Sequence, residues 1–293
     1  MRIWLAAVLL ATSACASVPG ETIGDSVIQA KALSELEKRS GGRLGIAVTD
    51  ARGKLVMADR GHERFAMCST FKLLLVGQLL ERAGKGVSLR TPLAFTRADL
   101  VSYSPGTEKL VGPDGRGEQR LGMAARDAMV LSDNTAANLI LKQIGGPAAF
   151  TAGLRRAGDM VTRLDRIEPE LNENALGDER DTTTPIAMAT SAAAYVFGNR
   201  LGAEHRKQLR GWMVASETGL KRIRAGLPQG WMAGDKTGSC GNAYNDVAFA
   251  EAPDGRKYVI AIYLDRPTVS GDAASAVIAE ATRLTVETIE ITE

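Results

Sequence analysis

The order of the secondary-structure signals constrains the fold most, because strand-like segments stand near both ends of the chain with a helical stretch between them. Apolar patterns typical of strands cover residues 44–50 and 54–59, and they return at 231–238, 245–251 and 257–265. Between these segments the apolar spacing is mostly helical, and no strand of any length is predicted. We therefore expect an α/β (α+β) fold in which one antiparallel sheet is built from both termini and flanked by helices.

The predicted sheet divides the chain into two domains. Residues 17–62 and 212–293 form a discontinuous α/β sheet domain, covered by helices predicted at 26–40 and 270–290. Residues 63–211 form an inserted all-helical domain. Because small-molecule sites favour clefts between domains, we expect the functional site where the two domains meet.

Residues 1–16 have the pattern of a secretory signal peptide. Arg2 precedes the apolar run 3–11, which is too short to cross a membrane, and Ala14-Cys15-Ala16 is a small-residue cleavage pattern. Cleavage after Ala16 predicts a periplasmic or secreted protein with no stable membrane association. Lipid attachment at Cys15 stays an alternative, which is disfavoured by Thr12 at the position three residues earlier.

Composition excludes several classes of function. The 293 residues are 45% hydrophobic, which suits a globular protein of enzyme size. The formal charge is +2 and no dense run of Lys and Arg occurs, so a nucleic-acid partner has no support. We expect a monomer that binds a small, uncharged or mildly anionic molecule.

Histidine usage excludes two further kinds of site. The chain has only two histidines, His62 and His205, and neither has the context of a metal site or of a Ser-His-Asp triad. We therefore expect no metal and no cofactor. An activated serine in this chain must rely on a lysine or a carboxylate.

The first motif with chemical potential is Ser69-Thr70-Phe71-Lys72, at the start of the helical run 71–82. A serine on the first turn of a helix lies near the positive end of the helix dipole, and a lysine three residues later lies on the same face. A nucleophile and a base can share one turn in this way. The alternative is a helix-capping serine beside a solvated lysine.

Two more motifs follow in order. Ser132-Asp133-Asn134 stands between helices predicted at 121–129 and 135–144, where it is also an ordinary helix cap. Lys236-Thr237-Gly238 stands on a late strand, where Lys and Thr point to opposite faces and Gly lets a ligand approach the backbone. Each motif alone is weak, but the ordered set is far more specific.

The ordered set resembles that of class A β-lactamases and penicillin-binding proteins. The stretch from Arg166 to Asn172 also resembles the loop that separates class A β-lactamases from penicillin-binding proteins. The resemblance covers residues 26–290. It implies the serine β-lactamase/penicillin-binding transpeptidase-like fold and hydrolysis of small-molecule β-lactams through a serine acyl-enzyme.

The resemblance assigns roles in forming the acyl-enzyme. Ser69 would open the β-lactam ring, and Lys72 would accept or relay its proton. Ser132 would pass a proton to the ring nitrogen, supported by the charge of Lys236. Whether Lys72 or Glu168 is the base for this step stays open.

The resemblance also assigns residues for hydrolysis and binding. Glu168 and Asn172 would hold and activate the hydrolytic water, and the backbone N–H groups of Ser69 and Ser239 would form the oxyanion hole. The residues expected to bind or line the substrate are Tyr103, Asn134, Arg222, Thr237 and Ser239. The Glu168–Pro169 bond is expected to be cis, and Arg166 is expected to pair with Asp181 across the loop.

Cys68 and Cys240 are the cysteines that remain after signal cleavage. Two cysteines in an exported protein suggest a disulfide, with two separate buried thiols as the alternative. A bridge between these positions resembles the carbapenem-hydrolysing subgroup of class A. The resemblance therefore extends the expected substrates to carbapenems.

Two other functions share the acylating serine. A penicillin-binding D-alanyl-D-alanine carboxypeptidase lacks a dedicated glutamate for hydrolysis, and a β-lactam sensor stays acylated. The loop containing Glu168 and Asn172 disfavours both alternatives.

Overall fold

The computed structural model of the protein describes residues 21–292. The predicted signal peptide lies outside the described residues. The strands, named β1 to β9, are Arg43–Asp50, Leu55–Asp59, Phe65–Ala66, Pro92–Thr96, Arg116–Arg120, Thr182–Thr183, Met232–Cys240, Ala243–Glu251 and Lys257–Asp265. The α-helices, named α1 to α9, are Glu21–Ser40, Phe71–Ala83, Leu121–Val130, Asn134–Ile144, Gly146–Arg156, Pro185–Val196, Ala203–Val214, Ile223–Gly226 and Gly271–Thr292.

The main sheet has five strands in the order β2-β1-β9-β8-β7. Neighbouring strands are antiparallel throughout. The pairing of β1 with β9, with Ala47 opposite Ala261, joins the two ends of the chain. The predicted antiparallel sheet built from both termini is therefore confirmed.

The two faces of the sheet bury different sets of residues. Leu44, Ile46 and Val48 of β1 lie in one apolar core with residues of α1 and α9, whereas Ala47 lies in the other core with the helices of the middle segment. Successive side chains of a strand point to opposite faces, so one strand contributes to both cores. A sheet covered on both faces is a rigid support for residues at its edge.

Helix α2 lies at the centre of the second core. Its residues Phe71 to Leu80 are all buried, including Lys72 and Gln78. Gly77 allows a close approach to α6, because a Cβ there would lie 2.8 Å from the ring of Tyr195. Within residues 21–292, no helix is long and apolar enough to cross a membrane.

The expectation of a middle segment without strands is wrong. β4 pairs with β5 and β3 pairs with β6, all within residues 63–211. β3 and β6 have only two residues each, and the exposed positions of β4 include the apolar residues Pro92 and Ala94, so the sequence lacks the polar–apolar alternation of a half-buried strand. The division into two domains stays a prediction, and its boundary at 211 falls inside α7.

Candidate active site

Ser69 lies in a 3₁₀ turn, Cys68–Thr70, that runs directly into α2. It therefore stands just before the α-helix and not on its first α-helical turn. Cys68 has φ +46°, in the left-handed region that non-glycine residues rarely adopt. The Thr70 hydroxyl donates to the Met67 carbonyl at 2.8 Å and lies 3.1 Å from the hydroxyl of Tyr263. These contacts hold the turn against the sheet.

Lys72 is fully buried and is not a solvated charge. Its Nζ donates to Ser69 Oγ at 2.9 Å, to the Ser132 carbonyl at 2.8 Å and to Asn134 Oδ1 at 2.5 Å. It also forms an ion pair with Glu168 Oε1 at 3.0 Å. The lysine thus contacts residues from all three regions that the sequence singled out before β7.

Burial lowers the pKa of both lysines in the site. Burial lowers the pKa of the Lys72 ammonium, and the charge of Glu168 opposes this effect. Burial, together with the neighbouring charge of Lys72, lowers the pKa of Lys236 to about 7. The Lys236 Nζ donates to Ser132 Oγ at 2.9 Å, so a titratable cation contacts the Ser132 hydroxyl.

The segment Ser132-Asp133-Asn134 has both structural and site-facing groups. Ser132 has φ +60°, a strained conformation that aims its hydroxyl at Lys236. Asp133 caps α4 by accepting from Ala136 N at 2.8 Å, which agrees with the helix-capping interpretation of this residue. The Asn134 amide donates to the Ser102 carbonyl at 2.8 Å. These bonds orient Asn134 beside Lys72.

Glu168 and Asn172 lie together on the far side of Lys72. Glu168 is fully buried, its bond to Pro169 is cis as expected, and Asn172 Nδ2 donates to Glu168 Oε2 at 2.5 Å. Among the described residues, Asn172 Oδ1 is a buried acceptor with no hydrogen-bond partner. The carboxylate and this free acceptor are suited to holding a polar molecule.

Asn138 is a supporting residue that the sequence analysis missed. Its Oδ1 accepts from Glu168 N at 2.9 Å and its Nδ2 donates to the Glu168 carbonyl at 2.8 Å. Its spacing from Asn134, four residues earlier on α4, was a signal, because residues at i and i+4 share a helix face.

The loop that presents Glu168 is closed at its ends by the expected pair. Arg166 Nε donates to Asp181 Oδ2 at 2.6 Å, and Asp181 Oδ1 accepts from the backbone N–H of Asp165 at 2.7 Å. Asp181 is fully buried, whereas Glu170 on the loop is exposed. The loop therefore has a fixed base.

β7 forms the opposite wall of the site, with the Lys236-Thr237-Gly238 motif at its centre. A Cβ at Gly238 would lie 2.7 Å from the Met67 carbonyl and 3.1 Å from Ser69 N, so only glycine allows this approach. A disulfide joins Cys68 to Cys240, with their Cα atoms 5.6 Å apart. The strand and the turn containing Ser69 are thus held side by side.

Arg222 lies buried behind Ser239 and is not a surface charge. Its guanidinium donates to the Gly238 carbonyl at 3.1 Å, to the Asn245 carbonyl at 2.6 Å and to Ser239 Oγ at 2.6 Å. Burial lowers the pKa of Arg222, and the carboxylate of Asp246 opposes this effect. Thr218, which the sequence analysis missed, lies 2.6 Å from Thr237 through the two hydroxyl oxygens.

These groups surround a cleft of about 500 Å³. Its lining includes the predicted residues Ser69, Tyr103, Ser132, Asn134, Asn172 and Arg222. Tyr103 is 61% exposed, which places it at the entrance. Another cavity, of about 390 Å³ beside α6, is lined by none of the predicted site residues. The cleft is therefore the candidate active site.

The side chains in the cleft are suited to acyl transfer. A serine hydroxyl contacts a buried lysine, a second serine contacts a second lysine, and a carboxylate lies on the other side. Within the part of the chain that the structure describes, no group of three His, Cys, Asp or Glu side chains could hold a metal ion.

Comparisons with known proteins agree with this chemistry. The sequence model of the beta-lactamase enzyme family matches residues 29–289. The β-lactamase AST-1 of Nocardia asteroides is 43% identical over 97% of this chain and 93% of that protein. The β-lactamase FAR-1 of Nocardia farcinica is 46% identical over 86% of this chain and 80% of that protein.

Solved structures give the same result. The ancestral (GNCA) class A β-lactamase is 52% identical with a TM-score of 0.84, covering 88% of this chain and 99% of that one. A β-lactamase from Xanthomonas campestris is 36% identical with a TM-score of 0.86, covering 90% of this chain and 98% of that one. The predicted fold class is confirmed. The chain belongs to the β-lactamase enzyme family with the class A fold, and it is a serine enzyme that hydrolyses β-lactams.

Proposed function

We propose that hydrolysis runs through an acyl-enzyme on Ser69, with the residue roles that follow. The observation that carries this proposal is the position of Lys72 Nζ, 2.9 Å from Ser69 Oγ and 3.0 Å from Glu168 Oε1. Burial lowers the pKa of Lys72, so the ammonium can release a proton to solvent and become an amine. That amine can then take the proton of Ser69 as its oxygen attacks the β-lactam carbonyl.

Ring opening needs a proton on the departing nitrogen. Ser132 is suited to supply it, because its hydroxyl accepts from Lys236, which can restore the transferred proton. The bond between Ser69 Oγ and the carbonyl carbon forms as the carbon–nitrogen bond of the ring breaks. The N–H groups of Ser69 and Ser239 would stabilise the oxyanion, each by about 100- to 1000-fold in rate.

Binding of the substrate carboxylate is assigned to Lys236, Thr237 and Arg222. Lys236 and Arg222 are buried cations, and Arg222 and Thr237 line the cleft. Asn134 would bind the substrate amide, and Tyr103 would contact the part of the substrate at the entrance. Charge-assisted hydrogen bonds of this kind favour an anionic substrate.

Glu168 and Asn172 are assigned to hydrolysis of the acyl-enzyme. The Asn172 amide orients the carboxylate, and its free Oδ1 can accept a hydrogen bond from the attacking water. Glu168 would remove a proton from that water as the water oxygen attacks the acyl carbon. The bond between Ser69 Oγ and the acyl carbon then breaks, and Ser69 Oγ regains a proton.

The test is Glu168→Gln, which keeps the size of the side chain and removes the base. We expect hydrolysis of the acyl-enzyme to slow by about 100- to 10,000-fold, so that a covalent penicillin adduct accumulates and is detected by mass spectrometry. Glu170→Gln is the matched control, because Glu170 is exposed on the same loop, and it should form no lasting adduct. If Glu168→Gln turned over penicillin normally and formed no adduct, Glu168 would not be the base for hydrolysis.

Carboxypeptidase and sensor functions predict different results with a chromogenic cephalosporin. The enzyme proposed here gives many turnovers, a sensor gives one stoichiometric burst, and a carboxypeptidase cleaves D-alanyl-D-alanine peptides instead. The buried Glu168–Asn172 pair supports the first outcome.

We further propose that the substrates include carbapenems. The support is the disulfide between Cys68 and Cys240, which holds the two walls that would bind the acyl carbonyl. Steady-state turnover of imipenem is the expected result. A long-lived imipenem adduct without turnover would contradict this proposal and leave hydrolysis of other β-lactams intact.

We also propose that the protein is exported and is a monomer. Export to the periplasm or medium after cleavage at Ala16 rests on the pattern of residues 1–16. Mass spectrometry of the exported protein would show whether Ala16 is the last residue removed. A monomer is proposed as well, and light scattering at micromolar concentration would detect a dimer.

A further inference from the structure

Asn245 is a buried amide at the back of the active site. It lies on β8, is 1% exposed, and stands opposite Gly238 of β7 and Tyr263 of β9. Its Nδ2 donates to the Ala66 carbonyl at 2.9 Å and to the Met67 carbonyl at 3.2 Å. These two carbonyls immediately precede the turn containing Ser69, so Asn245 holds that turn directly.

The backbone of Asn245 supports the other wall. Its carbonyl accepts from Arg222 Nη1 at 2.6 Å, and Arg222 Nη2 donates to Ser239 Oγ at 2.6 Å. The side chain of Asn245 therefore holds the backbone two and three residues before Ser69, one of the expected oxyanion donors. Its carbonyl orients Arg222, which contacts the side chain of Ser239, the other expected donor.

The disulfide between Cys68 and Cys240 spans the same gap as the Asn245 hydrogen bonds. Asn245 Nδ2 lies 3.7 Å from Cys68 Sγ, so the two connections are adjacent. One connection is covalent, and the other consists of hydrogen bonds between β8 and the residues before the turn. Both connections oppose movement of the Ser69 turn away from β7 and β8. Each one therefore limits the effect of losing the other.

We propose that Asn245 is a positioning residue of the oxyanion hole, acting in parallel with the disulfide to set the Ser69 N–H. This inference rests on the proposed function, in which the Ser69 and Ser239 N–H groups bind the acyl carbonyl. An amide is suited to the role because one NH₂ group has two N–H donors for two successive carbonyls. A carboxylate would repel these carbonyls, and an aliphatic side chain would leave them without this donor.

The experiment measures the hydrogen bonds to the acyl carbonyl directly. Glu168→Gln protein, alone and with Asn245→Leu, is acylated with a penicillin, and the carbonyl stretch of the adduct is recorded by infrared difference spectroscopy. Donors in the oxyanion hole polarise the carbonyl and lower its stretching frequency. We expect Asn245→Leu to raise this frequency and to slow acylation by about 10- to 100-fold. This loss is smaller than that of a whole oxyanion donor, because the Ser69 N–H is displaced and not removed.

Val247→Ala is the matched control for a general loss of stability. Val247 is two residues further along β8, fully buried in the apolar core, so its truncation leaves a cavity. It should lower the melting temperature and leave the carbonyl frequency unchanged. If Asn245→Leu does not fold, Asn245→Asp removes the same donors at nearly constant size and is measured in the same way.

The parallel connection is tested by combining Asn245→Leu with Cys68→Ala and Cys240→Ala. We expect the combined loss in acylation rate to exceed the product of the separate losses. An unchanged carbonyl frequency in folded Asn245→Leu or Asn245→Asp protein would overturn the positioning role, and multiplicative losses would overturn the parallel action. Failure of Glu168→Gln alone to accumulate an adduct would instead contradict the proposed function.

Discussion

Lys236 is a fully buried cation whose pKa is lowered to about 7, mainly by burial and then by the charge of Lys72. An amine is charged below its pKa and neutral above it. Attraction for a substrate carboxylate is therefore present below about pH 7 in the free enzyme and is lost as the pH rises through that value. We expect kcat/KM for a penicillin to fall on the alkaline side, since this parameter reports on the free enzyme.

Lys236→Arg separates this titration from others, because a guanidinium stays charged throughout the range. Its kcat/KM should be lower at pH 6, since Arg does not reproduce the geometry of Lys, but the alkaline fall should flatten. The pH profiles of the two proteins with one penicillin are the measurement. An alkaline fall with the same midpoint in both proteins would assign it to another group.

Single residues also explain why strained backbone occurs in this cleft. Three residues at the cleft have positive φ values, which are +46° for Cys68, +60° for Tyr103 and +60° for Ser132. Tyr103 and Ser132 line the cleft, and Cys68 is the residue before Ser69. Such conformations persist where surrounding contacts determine them. The capped segment at Asp133 and the turn held by Asn245 provide those contacts.

At the scale of elements, α2 places Lys72 correctly only if the helix packs closely against α6. Gly77 is the contact point, so Gly77→Ala would put a methyl group 2.8 Å from the ring carbons of Tyr195. We expect the free energy of unfolding to fall by about 1–3 kcal/mol, because inserting a methyl group into a packed core forces neighbours to shift. Urea unfolding at constant pH is the measurement.

Gly84→Ala is the control on the same helix. Gly84 has φ −62° at the end of α2, and the nearest atoms to its Cβ would be 3.5 Å away, an ordinary contact. Alanine there should be neutral or slightly stabilising, because it reduces the freedom of the unfolded chain. Equal destabilisation by both variants would contradict the close packing of α2 on α6.

At the scale of the whole molecule, the disulfide connects the segment before α2 to the end of β7 across 172 residues. The chain-entropy effect of so long a loop is at most about 5 kcal/mol, and about 2–4 kcal/mol is typical. We expect Cys68→Ala with Cys240→Ala to lower the free energy of unfolding by about 2–4 kcal/mol. Urea unfolding of the variant beside the oxidised parent measures it.

Thiol titration is the companion measurement for the whole molecule. The unfolded, unreduced mature protein should have no free thiol from Cys68 or Cys240, and two after reduction. Two free thiols before reduction would show that the bridge is absent in solution. The predicted loss of stability in the double variant would then have no basis.

The sequence alone determined the main sheet and the principal helices. The five observed strands of the main sheet begin and end within two residues of the predicted segments, and β7 and β8 each extend their hairpin by two residues at the inner end. These elements have long local patterns that do not depend on their partners. The motif residues Ser69, Lys72, Ser132, Glu168 and Lys236 are likewise identifiable from order and spacing, and the structure brings them together.

Only the tertiary structure decided which polar residues support that site. Thr218 and Asn245 act through contacts with residues 19 and 179 positions away, and no local pattern marks such partners. Asn138 shares a helix face with Asn134, but its contact with Glu168, 30 positions away, is not visible in the local pattern. The same is true of Arg222, which stands among other basic residues in the sequence but whose guanidinium is buried against β7 and β8. A side chain's burial and hydrogen bonds depend on what the fold packs against it, whereas the periodicity of a strand or helix is written in neighbouring residues.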